Sequence, residues 1–260
     1  MAIGDDFTTW SYWWEFNKAP FIRLRESLPQ GATQTGSDDF YLGSTRRVAA
    51  QNTLRPSESD ILNDILPALK KAIDSTDNRD INSSCMIAMA KIGQDHSEFK
   101  LKDVFTPRLS KNDQEIRETA ALALGIAAIA GEDEMTMLAD LALDRGAGRK
   151  ASGATVNNRT RAFALYGLGL AAHSTTNWKI KQQAFAALKE VLENKALRDR
   201  NLKVAAINGM SILNIGWGSL DERQLLNDVV KTLESFYMQK VGAGQNLILC
   251  HCPPAIAKLI

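Results

Sequence analysis

Apolar residues recur at three- and four-residue spacing along most of this chain, the period of helices that bury one face. The clearest run is IRETAALALGIAAIAG at 116–131, where Ile116, Ala120, Ala123, Leu124 and Ala127 share a face. Ala and Leu favour the helix. The flanking positions are small or apolar too, which predicts a helix buried nearly all round.

The run recurs. Ile81-Asn82-Ser83-Ser84-Cys85-Met86-Ile87-Ala88-Met89-Ala90 aligns with Ile116 to Gly125, with Thr160 to Gly169 and with Leu202 to Ser211. The fifth column reads Cys85, Ala120, Ala164, Ala206, and the eighth Ala88, Ala123, Gly167, Gly209. The ninth reads Met89, Leu124, Leu168, Met210, and the tenth Ala90, Gly125, Gly169, Ser211. Anchors at 81, 116, 160 and 202 lie 35, 44 and 42 residues apart. Helix-pair units of this period stack into solenoids. The alanines of column five are expected to be almost fully buried where paired helices meet.

The run at 116–125 resembles the second helix of a HEAT repeat, and Ile65-Leu66-Pro67-Ala68-Leu69 resembles its Pro-bearing first helix. The resemblance covers roughly 57–260; HEAT-like repeats related to the phycobilin lyases are similar at the same level. It implies an all-α, right-handed α-α superhelix of the HEAT type that acts as a scaffold for another protein, without catalysis. It also implies that Asp113, Arg117, Arg161, Asp199 and Lys203 form a ladder between turns and inner helices of adjacent repeats.

Taken in order, 9–28 reads as a helix with Trp10, Trp13, Trp14, Phe21, Leu24 and Leu28 near one stripe, kinked or interrupted at Pro20. It is expected to cap the first repeat, as terminal repeats require. Tyr12 and Phe16 fall on a second face and are candidates for partner contact. A turn-rich stretch at 29–37 separates an N-terminal segment, 1–36, from a repeat array, 37–260, and 39–53 is a further helix candidate. About five repeats follow, opening near Ser57, Glu98, Glu134, Trp178 and Asp221. The last is expected to be incomplete, and its apolar residues Leu247, Ile248, Leu249, Ile256, Leu259 and Ile260 predict self-association or continuation into further repeats. Repeat three carries an insertion, 145–158, read as a mobile surface loop. The chain from Arg145 to Arg161, which includes this insertion, holds five basic residues and no acid, so Arg145, Arg149, Lys150 and Arg159 join the partner-contact candidates.

Composition narrows the function classes. A net charge of +1 offers no global attraction to nucleic acid or anionic membrane. Three cysteines form no disulfide framework, no window is apolar enough to span a bilayer, and Asp5 and Asp6 stand where a signal peptide would be basic. These features favour the cytoplasm. Cys250-His251-Cys252 lacks the further ligands of a closed zinc site. Cys85 reads as core, and His96 and His173 as residues at helix C-termini. Gly146, Gly148 and Gly153 around Arg149-Lys150 miss the spacing of a phosphate loop. No serine or cysteine stands in a nucleophile motif, so no catalytic residue, metal or cofactor is expected. Two rivals remain: a phycobilin-lyase-like enzyme that handles a chromophore, and a nucleic-acid-binding HEAT-like module.

Overall fold

A computed structural model describes residues 56–239, 242 and 246–260. The chain divides into two compact units, Met1–Ser59 and Asp60–Ile260. The aromatic helix expected at 9–28, with Tyr12 and Phe16, lies outside the described residues, as do the linker at 29–37, the boundary at residue 36 and the helix at 39–53.

Among the described residues every regular element is helical and none is a strand. A π-helical turn, Ile61–Ile65, leads into α1 at Leu66–Ser75. Pro67 cannot donate a backbone hydrogen bond to the preceding turn, and the wider turn ahead of it accommodates that loss. Then come α2 (Arg79–Ile92), α3 (Leu101–Phe105), α4 (Gln114–Ile126), α5 (Glu132–Leu143), α6 (Gly146–Ser152) and α7 (Asn158–Ser174). The chain continues as α8 (Trp178–Glu193), α9 (Arg200–Ile212), α10 (Leu220–Tyr237), α11 (Asn246–Leu249) and α12 (Cys252–Leu259). α3 runs on as a 3-10 segment, Thr106–Ser110, around Pro107.

The helices pack in pairs: α1 on α2, α3 on α4, α5 on α7, α8 on α9 and α10 on α12. The second members also pack on one another in chain order, α2 on α4, α4 on α7, α7 on α9 and α9 on α12. They are called inner helices below, and their partners outer helices.

One local signal starts four of the inner helices. Asn78, Asp113, Asn157 and Asp199 each accept a backbone N–H of the first turn, from Ile81, Ile116, Thr160 and Leu202 respectively. Each cap stands three residues before column one of the aligned runs, so the caps set the repeat register. The small-residue columns then let backbones meet. A Cβ on Gly125 would stand 2.4 Å from the Gly167 carbonyl oxygen, and one on Gly169 would stand 2.8 Å from that of Gly209. Column ten of one inner helix thus abuts column eight of the next. Ala120, Ala164 and Ala206 are fully buried, as their column predicts, and so are Met89, Leu124, Leu168 and Met210 of column nine.

The insertion departs from expectation: it is not a loop. Residues 146–152 form α6, which packs along α5 and against the 3-10 segment of repeat two. Gly148 lies so close to α5 that a Cβ there would stand 2.0 Å from the Leu141 backbone nitrogen. The Asp140 carboxylate accepts the Ala147 N–H at 2.9 Å, and that of Asp144 accepts the Val156 N–H at 2.8 Å. The acids that organise this basic segment thus come from the end of α5, just upstream of it.

The C-terminal pair begins with a capping box, Ser219 with Glu222. Cys252, Ala255 and Leu259 of α12 are buried, whereas Trp217, Leu220, Tyr237, Met238, Leu247 and Ile260 are exposed.

Candidate interaction surface

Caps and close contacts fix which inner-helix residues stay accessible. Column seven, reading Ile87, Leu122, Tyr166 and Asn208, is half-buried in all four aligned runs. In column four Ser84 is exposed, while Thr119 and Phe163 are half-buried. A band of aliphatic, aromatic and hydroxyl groups therefore crosses successive inner helices. Hydrogen bonds stitch it across repeats: Thr119 Oγ1 donates to Ser83 Oγ at 3.3 Å, and Asn208 Nδ2 to the Tyr166 hydroxyl at 3.0 Å. Beside the band, the buried Glu118 carboxylate accepts from Gln114 at 2.6 Å and from Arg159 of the next repeat at 3.0 Å.

Three of the four basic candidates are engaged within the chain. Arg145 pairs with Asp140 at 3.2 Å and Glu190 at 2.9 Å, Arg149 forks onto both oxygens of Asp144, and Arg159 holds Glu118. Lys150 is exposed. The Arg149 hydrogen bonds hold the Asp144 carboxyl down at about 2, with help from the Val156 N–H. Three of the five cations in a segment that reads as positive in isolation are paired with acids in the fold.

Column two bonds back into its own hairpin, and Asn82 Oδ1 also accepts from Arg108 Nε of the next pair at 3.4 Å. Asn82 donates to the Thr76 and Asn78 carbonyls, Arg117 to Lys111 at 3.1 Å and Arg161 to Ala142 at 2.8 Å. Lys203 donates to Val191, Leu192 and Asn194, all within 2.8 Å. Each of these side chains reaches back to carbonyls at the end of the outer helix or in the turn behind it, groups that helix geometry leaves unpaired. Asn82, which breaks the run of basic residues in this column, does the same work with an amide. Burial pushes the Lys203 ammonium down to about 8 while the three carbonyls take its three N–H groups. Asp113 caps α4. Of the five residues expected in the ladder, Asp199 is the one with a described hydrogen bond to a neighbouring pair, from Asn158 at 3.1 Å.

Links between repeats are also made by residues that the sequence pattern does not place in the ladder. Arg108, buried in the outer layer, donates to the Asp74 carboxylate at 3.0 Å and to the Ile73 carbonyl at 3.3 Å. His173 Nδ1 lies 2.7 Å from the Ile212 carbonyl, and Gln183 donates to Thr136 at 2.9 Å. Separations of 34, 39 and 47 residues, close to one repeat, were the available signal.

Cys85 is buried in the core and Cys252 is buried at the start of α12, where burial pushes its thiol up to about 11; Cys250 is exposed. Among the described residues no group of three or more His, Cys, Asp or Glu is placed to hold a metal ion, and no helix is long and apolar enough to cross a membrane. No family model matches the chain, and no curated protein matches it.

Proposed function

We propose that the chain is a HEAT-type, right-handed α-α superhelix that serves as a non-enzymatic scaffold, binding another protein through its inner helices. The observation that carries this reading is the column-seven band. Ile87, Leu122, Tyr166 and Asn208 share the same half-buried setting in four successive inner helices. Half-exposed aliphatic and aromatic groups on a rigid frame bind a protein surface at low entropic cost. The column-two contacts stiffen each hairpin and leave that band free of charge.

The test is site-specific crosslinking in a lysate of the source organism. A photo-reactive amino acid replaces Leu122 or Tyr166 on the band, and Lys195, exposed in the α8–α9 turn, serves as control. One discrete protein should be captured from both band positions and not from Lys195. Equal capture at all three positions would overturn the assignment. So would an absorbance shift on adding a bilin, or a salt-dependent gel shift with nucleic acid, each in favour of its own reading.

A further inference from the structure

Outer helices α8 and α10 pack side by side and leave a cleft of about 160 Å³ between them. α8 lines it with Trp178 and Phe185, seven residues apart and so on one face. α10 lines it with Asp221, Gln224, Leu225 and Asp228, again on one face. Phe185 and Leu225 are buried and form an apolar floor, Trp178 is half-buried, and Asp221 is exposed. One oxygen of Asp228 accepts from Gln224 at 3.0 Å. Among the described residues neither Asp221 nor Asp228 has a basic partner within ion-pair distance, whereas Asp140, Asp144 and Glu118 each have one. Lys189 sits 5.9 Å over the Phe185 ring but does not line the cleft.

We propose that this cleft seats one cationic side chain of a partner protein, arginine in preference to lysine. The faces of aromatic rings attract cations, and two carboxylates on the opposite wall supply the countercharge. A planar guanidinium stacks on an indole while its forked N–H donors engage one carboxylate of the α10 wall and the second, about two helical turns away, adds countercharge; an ammonium meets the charge without the stack. The cleft lies between outer helices, so the inference holds whatever occupies the inner band.

Three blocked pentapeptides, with central arginine, lysine or citrulline, are titrated into the full chain. The indole N–H resonance of Trp178, identified by its absence in Trp178→Phe, is followed by NMR. Citrulline keeps the shape of arginine and loses the charge. The arginine peptide should saturate the shift by about 20 mM, the lysine peptide should bind more weakly, and the citrulline peptide should not saturate. The double variant Asp221→Asn with Asp228→Asn should weaken arginine binding by roughly tenfold and leave the helical circular dichroism unchanged. Equal binding of citrulline and arginine, or no saturable shift with arginine, overturns the proposal in the unaltered protein without recourse to the variant. Tighter binding of lysine than of arginine overturns the stacking argument. Crosslinking at the inner band is untouched by any of these results.

Discussion

Gly125 sits in the last turn of α4, and within a helix replacement of glycine by alanine ordinarily stabilises, by up to roughly 1 kcal/mol. Here the added methyl would stand 2.4 Å from the Gly167 oxygen and 2.5 Å from its Cα, both backbone atoms that cannot rotate away. Gly125→Ala is therefore expected to destabilise by ~1–3 kcal/mol, read from the midpoint of urea unfolding; a gain in stability would show that the inner helices do not meet there. Lys203 makes a second prediction at this scale. Its folded pKa of about 8 lies below the ~10.4 of an unfolded lysine. Between those two values the unfolded state binds more protons, so stability rises with pH across that window and is flat with respect to this group below it. Lys203→Met should remove that rise. Unfolding curves of the two proteins from pH 7 to pH 10 measure the difference, and parallel curves would refute it.

At the scale of elements, α6 shows how a short helix is held. Seven residues are too few to be helical alone. Asp144, at φ 55°, both ends α5 and anchors Arg149 and the Val156 N–H. Asp144→Asn tolerates the left-handed backbone but loses the charge. It should lower the hydrogen-exchange protection of residues 146–152 by roughly tenfold, while the amides of α4 and α7 keep theirs. The pH dependence has a definite sign. A carboxyl held at about 2 in the fold, against ~3.9 unfolded, contributes stability above pH ~4 that is lost as pH falls towards 2. Unchanged exchange in α6 would show that the packing of Gly148 suffices without the ion pair. Deleting 147–155 is accordingly expected to cost stability, the opposite of what a mobile loop would show.

Across the whole second unit, each helix pair packs against its neighbours. The C-terminal pair exposes Trp217 and Leu220 at one end of α10, Tyr237 and Met238 at the other, and Leu247 in α11. We expect self-association through this pair, seen as a scattering mass that grows across a hundredfold concentration range. Met238→Ser with Leu247→Ser should suppress the growth. A mass independent of concentration in the unaltered chain would overturn the expectation.

Much of the architecture is legible in the residues alone, because the forces that write it are short-ranged. A helical period, a cap three residues before each anchor, and columns of Ala and Gly are all local, and they specified the inner helices, their register and the burial of Ala120, Ala164 and Ala206. The candidate sites were less legible, because charge and exposure depend on residues far along the chain. Arg159 reads as a free cation until Glu118, 41 residues away, is brought beneath it. Arg117 and Lys203 read as rungs between repeats, yet the nearest unpaired acceptors are the carbonyls ending their own outer helix, and their bonds go there. Likewise Trp178 and Asp221 read only as the openings of two different repeats, and the packing of α8 against α10 makes them one cleft. Local pattern determined the paired helices and which of their faces are buried; tertiary packing decided that the insertion is helical, which charges are spent within the fold and which remain to meet a partner.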